Sequence, residues 1–263
     1  HQEHLETLVE QRTNDMKSAM NLAESANQAK SEFLANISHE LRTPMHHILN
    51  YSYFGLNKFD QVGNKRLLHY FGQIRRTGMR LMDLLNDLLD LSKLEARKMD
   101  FDMKSINVNV IASEVVRDFE VVLQNKDLEC EITDNSSSAS AYGDGFRITQ
   151  VVQNLLSNAI KFSDENKSIR IQLDDSKLKK DERVVEALKI TVADQGIGIP
   201  ETEMGSVFEK FVQSSLTKND AGGTGLGLAI CKEIIDLHRG EIWVDNNPSG
   251  GTIVSFKLPR QPV

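Results

Sequence analysis

The chain has 263 residues, of which 40% are hydrophobic and 26% are charged, a composition typical of a soluble globular protein with one or two domains. A formal net charge of −7 without any basic stripe argues against a nucleic-acid binder. No membrane contact is predicted within the chain, because no run of 18 apolar residues occurs. Cys130 and Cys231 lack metal-ligand spacing and are interpreted as reduced thiols of a cytoplasmic protein. Since the first residue is His1 rather than Met, we expect a fragment that lacks an N-terminal part.

A long N-terminal helix is predicted to form a coiled coil. Ten positions that alternate in steps of four and three residues run from Leu5 to Ile37, and eight of them are apolar when alanine is counted. Neither glycine nor proline interrupts residues 1–43. An average apolar spacing of 3.5 residues favours two helices wound around each other, so residues 1–30 are assigned to a coiled-coil helix of a homodimer. A single amphipathic helix packed within a monomer remains the alternative.

Residues 31–98 are predicted to form an antiparallel helical hairpin. Its first helix continues the coiled coil through Ser31–Leu49 and ends near Lys58–Gly63. The second helix has apolar residues at helical spacing and ends around Leu94–Arg97. Two such hairpins make a four-helix bundle, which would give the predicted dimer its core.

The first helix of the hairpin carries a candidate nucleophile. His39 points away from the apolar stripe, Glu40 lies beside it, and Thr43 follows one turn later on the same face. Pro44 removes one backbone hydrogen-bond donor and predicts a kink just past the histidine. An imidazole held outward beside a carboxylate suits nucleophilic attack, although the helical pattern alone fits a solvated surface histidine better.

Beyond Met99 short strands and helices alternate, which predicts an α/β sandwich of helices on one mixed sheet in residues 104–260. The predicted strands are Ser105–Val108, Leu128–Thr133, Ser168–Asp174, Ala187–Ala193, Glu241–Asn246 and Gly251–Leu258. The predicted helices are Val110–Asn125, Arg147–Ser163 and Thr224–His238. We expect a polar loop at Asn135–Ser140 and a charged turn at Asp175–Glu186, most simply a solvated hairpin. The Leu94–Lys104 junction is the predicted hinge between this domain and the hairpin.

Asn154, Asn158 and Lys161 form the first cluster with ligand-binding chemistry. Their spacing of i, i+4 and i+7 places them on one face of a helix whose other face is apolar. Amide oxygens can complete the coordination of a Mg²⁺ ion that phosphates already hold, and a lysine can contact phosphate as a point charge. Taken alone, this cluster also fits an ordinary polar helix surface.

Asp194, Gly196 and Gly198 form a second cluster directly after an apolar strand. A carboxylate at a strand end can accept a hydrogen bond from an exocyclic amine, and glycines two residues apart allow the backbone to approach a flat ring. Because a short glycine pair also occurs in ordinary turns, this cluster is not specific by itself.

A third cluster, Gly222–Gly227, is rich in glycine and opens a predicted helix. Its backbone N–H groups can surround phosphate at the positive end of the helix dipole. The polar residues Gln213–Ala221 before it are expected to form a mobile lid. A fourth cluster, Ser249–Thr252, leads into the last strand and would by itself be only a hairpin turn.

The order and spacing of these motifs resemble the two-component sensor histidine kinases over roughly residues 31–260. The matching motifs are SHELRTP for the H box, NLLSNAIKFS for the N box, DQGIGIP for the G1 box, FEKF (Phe208–Phe211) for the F box and GGTGLGLAI for the G2 box. The second half alone also resembles the ATPases of gyrase, Hsp90 and MutL, from which the H box and the hairpin distinguish it. Lys210 departs from the proline that the F box often has.

The resemblance implies a homodimeric helical bundle and a Bergerat-type ATP-binding sandwich. ATP would phosphorylate His39, Glu40 would accept the proton of its ring, and Thr43 would position water for dephosphorylation of a partner. Asn158 would hold Mg²⁺, and Asp194 would recognise the adenine amine. The implied ATP-binding residues are Asn154, Asn158, Lys161, Asp194, Gly196, Gly198, Gly223, Thr224, Gly225, Leu226, Gly227 and Thr252.

The resemblance also implies partners that lie outside the chain. The phosphoryl group would pass to an aspartate of a response-regulator receiver domain, and the enzyme could reverse that step as a phosphatase. No receiver segment follows Val263, so the aspartate is expected on another chain or on a missing part. An upstream sensory domain is expected in the missing N-terminal part. That part either anchors the protein in the inner membrane or leaves it wholly in the cytoplasm.

The sequence of the second half also fits two other functions. An ATP-driven conformational machine of the gyrase type, or a non-enzymatic scaffold whose shape a nucleotide tunes, would use the same second half.

His46 and His47 stand close to His39 but point in other directions and are interpreted as structural. His69 and His238 are expected to be surface residues.

Overall fold

The computed structural model describes residues 12, 16, 17, 20, 35–56, 64–96, 98–180, 183–216 and 224–262. The chain divides into two compact units, residues 1–83 and 84–263. Most of the predicted coiled-coil seam, the Lys58–Gly63 turn, Gly223 and most of the predicted lid lie outside the described residues. Within the ranges given above, no helix is long and apolar enough to cross a membrane.

The first unit contains helix α1 (35–56) and the beginning of helix α2 (Asn64–Glu95). Aromatic rings join the two helices near their connection, since the ring centre of Tyr70 lies 5.9 Å from that of Tyr51 and 6.3 Å from that of Phe54. Large apolar side chains remain exposed on the unit, among them Met45, Leu49, Tyr53, Leu56, Leu68, Phe71, Met79 and Met82. A surface of this kind is suited to packing against further helices.

The second unit is built on a five-stranded mixed sheet. Its elements in chain order are β1 (Lys104–Asn107), α3 (Val108–Asp118), α4 (Glu120–Asn125), β2 (Glu129–Asp134), β3 (Ser140–Gly143), α5 (Gly145–Phe162), β4 (Ser168–Lys180), β5 (Arg183–Ala193), a 3₁₀ turn (Glu201–Glu203), α6 (Gly227–Leu237), β6 (Glu241–Asn246) and β7 (Thr252–Pro259). The sheet order is β2-β4-β5-β7-β6, with β2 and β4 parallel and the other neighbours antiparallel. β1 and β3 form a separate antiparallel pair. The predicted α/β sandwich is confirmed.

The core of this unit lies between α5 and the sheet. α5 packs against α3, α6 and β5. Its buried residues recur at helical spacing and are Ile148, Val151, Val152, Leu155, Leu156, Ala159 and Ile160. On β4 alternate residues are buried, namely Ile169, Ile171 and Leu173. Each fully buried aliphatic side chain stabilises the fold by about 1.5–3 kcal/mol. Because the apolar face of α5 fills the core, its polar face is left for a ligand.

Side chains cap both ends of α5. Asp144 is the N-cap residue, and its Oδ1 accepts a hydrogen bond from the backbone N–H of Arg147 at 3.1 Å. At the other end Lys126 Nζ donates to the carbonyl oxygens of Ile160 at 2.8 Å and Ser163 at 2.9 Å. An ammonium group is favourable there because it lies at the negative end of the helix dipole. The helix is thereby fixed at both ends.

The predicted hairpin at Asp175–Glu186 is present, but most of the segment is paired strand rather than solvated turn. β4 and β5 remain paired through this segment until Lys180 and Arg183 lie opposite each other. Leu178 is buried in the extension, whereas most of its charged neighbours are exposed. One buried apolar residue between charged residues is a strand pattern, but the high charge of the segment concealed it.

β6 is confirmed at its predicted residues, Glu241–Asn246. Two other short elements differ from the prediction. The predicted helix Val110–Asn125 is divided into α3 and α4, because Phe119 adopts φ −93° and ψ 1° and ends the first helix. β3 was not predicted, since it is only four residues long and begins within the expected polar loop.

The prediction that His238 lies on the surface is wrong, because only 1% of this residue is exposed. Its Nε2 accepts a hydrogen bond from the backbone N–H of Asp144 at 2.9 Å, and its Nδ1 donates to the carbonyl oxygen of Ile234 at 2.7 Å. The ring of Phe101 packs edge-on at 5.3 Å between centres. Burial lowers the pKa of His238 below its ordinary value, which favours the neutral ring that these two hydrogen bonds require.

Candidate functional site

A cavity of ≈ 330 Å³ lies in the second unit between α5, the segment that follows β5, and the glycine-rich segment before α6. Nine of the predicted ATP-binding residues line it, namely Asn154, Asn158, Lys161, Asp194, Gly198, Thr224, Gly225, Gly227 and Thr252. Its volume lies within the range of small-molecule sites, which begins at about 300 Å³. The fold thus brings together residues from four separate motifs of the sequence.

The polar face of α5 forms one wall of the cavity. Asn154, Asn158 and Lys161 are half-buried along it. Asn154 lies against the start of α6, where a Cβ on Gly227 would be 3.3 Å from the Asn154 Oδ1. The Lys161 ammonium lies 4.8 Å from the centre of the Phe162 ring. Two amides and one cation on one wall match the needs of a polyphosphate that carries a divalent cation.

Asp194 contributes a carboxylate to the cavity although the residue is only 8% exposed. Its Oδ1 accepts hydrogen bonds from the backbone N–H groups of Gly196 at 2.8 Å and Thr252 at 3.0 Å. Burial raises the pKa of Asp194, and the two hydrogen bonds oppose this shift because they stabilise the charged form. Since both bonds use Oδ1, Oδ2 is the oxygen with which Asp194 would accept a hydrogen bond from a ligand.

Two glycines allow the backbone to pass close to this carboxylate. A Cβ on Gly196 would lie 2.3 Å from the carbonyl oxygen of Phe162, and a Cβ on Gly251 would lie 2.3 Å from that of Asp194. Gly251 also has φ +95°, which other residues rarely adopt. Gly196 therefore supports the site from behind rather than lining the cavity. The role of Gly251 was missed, because its turn had the pattern of an ordinary hairpin.

The glycine-rich segment meets the F-box segment at the edge of the cavity. The N–H of Phe211 donates to the carbonyl oxygen of Gly225 at 2.9 Å, and a Cβ on Gly225 would lie 2.8 Å from the Phe211 backbone. Leu226 does not line the cavity, because its side chain is fully buried in the core. Its N–H donates to Thr224 Oγ1 at 3.2 Å, so it orders the segment internally.

Helix α2 contributes a cavity residue that the sequence did not predict. The last turns of α2, from Leu84 onward, belong to the second unit. Asp87 lines the cavity, and its Oδ2 accepts a hydrogen bond from Thr224 Oγ1 at 3.0 Å. Nothing in the sequence distinguishes Asp87 from the other polar residues of an amphipathic helix, so no signal pointed to the cavity.

His39 is exposed on α1 in the first unit, and Glu40 beside it is half-buried. The hydroxyl of Thr43 donates to the carbonyl oxygen of His39 at 3.4 Å, one turn back along the helix. The helix continues on both sides of Pro44. Among the residues with described positions, no group of three or more His, Cys, Asp or Glu side chains could hold a metal ion.

Two protein-family models match the chain. Residues 29–97 match the His Kinase A (phospho-acceptor) domain, and residues 143–262 match the histidine kinase-, DNA gyrase B- and HSP90-like ATPase. The first match includes His39, and the second includes every residue that lines the cavity except Asp87.

Curated relatives match most of the chain but are much longer. The Non-motile and phage-resistance protein of Caulobacter vibrioides is 38% identical over 240 residues, which are 90% of this chain and 28% of that protein. The Sensor histidine kinase WalK of Bacillus subtilis is 36% identical over 241 residues, which are 90% of this chain and 38% of that protein. The chain thus spans less than half of the length of these relatives.

A solved structure is similar across both units. The histidine kinase ThkA, in complex with the response regulator protein TrrA, matches with a TM-score of 0.71 and 26% identity over 88% of this chain and 62% of that chain. The family models, the relatives and this structure agree for both halves of the sequence. The chain belongs to the two-component sensor histidine kinases, and it contains a helical phospho-acceptor region followed by an α/β ATPase domain.

Proposed function

We propose that the chain is the catalytic core of a sensor histidine kinase, which transfers the γ-phosphoryl group of ATP to His39. The observation that carries this proposal is the cavity that combines Asn158, Lys161 and Asp194, together with an exposed histidine on the helical unit. In this proposal residues 1–30 are a coiled-coil signalling helix, residues 31–98 the dimerisation and phosphotransfer domain, and residues 104–260 the ATP-binding domain.

The cavity offers complementary chemistry to each part of ATP. Asp194 accepts a hydrogen bond from the exocyclic amine of adenine through Oδ2, beside Thr252. Asn154 and Lys161 face the phosphates from α5, and Lys161 offsets their charge. The glycine-rich residues that we assign to the phosphates and ribose are Gly198, Gly223, Thr224, Gly225 and Gly227, with Gly196 and Leu226 holding the backbone in position.

Asn158 is the proposed Mg²⁺ ligand. Its side chain lines the cavity on α5 and offers a neutral oxygen, which suits an ion whose other ligands are phosphate oxygens and water. A bound Mg²⁺ ion would neutralise charge on the phosphate oxygens and favour their attack by a nucleophile.

At His39 the proposed reaction is an in-line displacement. Neutral imidazole is nucleophilic near physiological pH, and one ring nitrogen of His39 attacks the γ-phosphorus. The bond from this phosphorus to the oxygen bridging the β- and γ-phosphates breaks, and ADP leaves. Glu40 accepts the proton of the other ring nitrogen, and Thr43 positions water when the phosphorylated partner is dephosphorylated.

The proposed kinase is a homodimer that passes its phosphoryl group to an aspartate of a response regulator. The exposed apolar side chains of α1 and α2 support pairing with a second copy. The complex of ThkA with a response regulator supports a receiver domain as the partner. We place the reaction in the cytoplasm, because it consumes ATP and because both cysteines are free thiols.

Incubation with γ-labelled ATP and Mg²⁺ tests this proposal. We expect label that is lost in acid and stable in base, as a phosphoramidate is, and we expect His39→Gln to abolish it. A variant with His46→Gln and His47→Gln should keep the label, since these exposed histidines lie on the same helix. Asn158→Ala should lose labelling at MgATP concentrations that saturate the wild type.

Three outcomes would contradict parts of the proposal. Label that survives His39→Gln would refute this histidine as the acceptor. ATP hydrolysis without any labelled protein would favour a conformational machine of the gyrase type. Nucleotide binding without either reaction would favour a scaffold.

A further inference from the structure

The last turns of α2 make polar contacts with the ATPase domain and contain buried apolar side chains. Three leucines of this segment are buried, namely Leu84, Leu91 and Leu94. Asp90 Oδ2 accepts a hydrogen bond from Gln150 Nε2 at 3.0 Å and lies 3.6 Å from Arg147 Nη1. Both partners belong to α5, so Asp90 joins the end of α2 to the helix that carries the phosphate-facing residues.

One turn before Asp90, Asp87 reaches into the nucleotide cavity. Its Oδ2 accepts the hydroxyl proton of Thr224 at 3.0 Å, and the same hydroxyl oxygen accepts the N–H of Leu226 at 3.2 Å. Thr224 belongs to the glycine-rich segment that we assign to the phosphates. The hydroxyl that this segment offers to the cavity is therefore engaged by a carboxylate of α2.

A triphosphate and Asp87 make incompatible demands on this cavity. The Thr224 hydroxyl has one proton, which it can donate to Asp87 or to a phosphate oxygen but not to both. A carboxylate and the phosphates of ATP also repel each other when they share a cavity of ≈ 330 Å³. Adenosine carries neither the charge nor the phosphate oxygens, so this conflict depends on the phosphates.

We propose that Asp87 is a positioning residue of the nucleotide site, which holds Thr224 and the end of α2 until a triphosphate displaces it. Phosphate oxygens take over the Thr224 hydroxyl and repel Asp87, and the segment Leu84–Glu95 is released from the ATPase domain. By reciprocity, the packed segment lowers the affinity for ATP. This inference rests on the proposed function, because it takes ATP as the ligand of the cavity.

Substitution of Asp87→Asn separates charge from packing. The amide has nearly the same shape and can still accept the Thr224 proton, but it does not repel phosphates. We expect the 263-residue chain with Asp87→Asn to bind a Mg²⁺-bound, non-hydrolysable ATP analogue at least roughly fivefold more tightly than the wild type, the lower end of typical coupling between sites. Adenosine should bind both proteins equally.

Calorimetric titrations at low and high salt provide the measurement. Asp83→Asn is the matched control, because it removes the same charge from an exposed residue one turn earlier in α2. The gain of Asp87→Asn should shrink as added salt screens the repulsion, and Asp83→Asn should show no gain. In the wild type, hydrogen exchange of the Leu84–Glu95 amides should increase when the analogue binds.

Each contrary result identifies what fails. Unchanged or weaker analogue binding by Asp87→Asn overturns the inference, and so does an equal change in adenosine binding, which would indicate a structural role. Unchanged exchange of Leu84–Glu95 on analogue binding overturns the proposed release. A wild-type chain that binds neither adenosine nor the analogue refutes the proposed function itself, and this inference with it.

Discussion

At the scale of single residues, the orientation of Asp194 connects the fold to the proposed ligand. Rotation of this carboxylate would break two charge-assisted hydrogen bonds, from the N–H groups of Gly196 and Thr252. The backbone carbonyl oxygen of Asp194 is held as well, because Asn247 Nδ2 donates to it at 2.7 Å. A carboxylate with one fixed orientation can discriminate between ligands that donate and ligands that accept at the same position.

We expect Asp194→Asn to weaken ATP binding and to reduce the preference for ATP over GTP. The amide oxygen has to occupy the Oδ1 position to keep both N–H bonds, so the NH₂ group faces the base. It then opposes the adenine amine and can donate to the carbonyl oxygen of guanine. Loss of a hydrogen bond to a charged group costs about 1.5–3 kcal/mol, which corresponds to a roughly tenfold to hundredfold weaker affinity.

Competition between ATP and GTP for the chain checks this expectation. Asp118→Asn serves as the control, since this aspartate is exposed at the end of α3. A ratio of ATP to GTP affinity that stays the same in Asp194→Asn would contradict the proposed role of Asp194.

Gly250 and Gly251 form a matched pair for a second test. They have φ +89° and +95°, so alanine is strained at both positions. At Gly251 a Cβ would also meet the carbonyl oxygen of Asp194 at 2.3 Å, whereas among the described residues the space at Gly250 is open. We expect Gly250→Ala to cost about 1–2 kcal/mol of unfolding free energy and to keep ATP-analogue binding. Gly251→Ala should cost more and abolish binding.

Denaturation followed by the fluorescence of Trp243, the single tryptophan, measures both effects on stability. Equal losses of stability and of binding in the two variants would show that backbone conformation alone limits this turn. The contact of Gly251 with Asp194 would then have no separate importance.

At the scale of elements, one cluster joins the Leu94–Lys104 junction to α5 and α6. Asp144 caps α5, its Oδ2 accepts the backbone N–H of Asp102 at 2.9 Å, and its own N–H donates to His238 at 2.9 Å. Phe101 of the same junction packs against the His238 ring. Because His238 must accept a hydrogen bond at Nε2, the cluster requires its neutral form.

We therefore expect the free energy of unfolding of the second unit to fall as the pH decreases below about 6.5. Burial lowers the pKa of His238, so the unfolded chain binds this proton more readily than the folded chain. The contribution of the neutral ring is complete above the unfolded pKa and is lost as the pH falls through the lower, folded-state pKa. Asp144 carries the nearby charge that opposes this shift.

Urea denaturation of the wild type and His238→Gln between about pH 7.5 and about pH 5 isolates this contribution. At the higher pH the wild type should have a larger free energy of unfolding than His238→Gln. This difference between the two proteins should shrink toward the lower pH. His46→Gln, at an exposed position, should follow the wild type. An advantage that is independent of pH would contradict the role assigned to His238.

Sequence patterns predicted the elements whose apolar periodicity decides their structure, such as α5 and β6. They also indicated most of the cavity, because its residues belong to compact motifs. They failed for Asp87, Gly251 and His238, whose roles depend on contacts with residues that are distant in the chain. Such contacts leave no local periodicity, and an acidic residue on a helix or a glycine in a turn has many ordinary explanations.

At the scale of the whole molecule, α2 is the helix that runs from the first compact unit into the second. Both ends of the predicted hinge at Leu94–Lys104 are fixed in the second unit. Leu94 is buried, and the backbone N–H of Asp102 donates a hydrogen bond to Asp144. In the proposed reaction, the γ-phosphate of a nucleotide in the cavity has to reach His39. We therefore expect the contacts of the α2 end to be lost during the catalytic cycle, as the inferred displacement of Asp87 by ATP would allow.

The most direct test of the central claim is to identify the residue that is phosphorylated. The chain is incubated with MgATP and digested under neutral or basic conditions, and its peptides are mapped by mass spectrometry. We predict one phosphoryl group, on His39 of α1. A phosphoryl group on another residue, or an unmodified chain under conditions in which ATP is shown to be bound, would contradict the account.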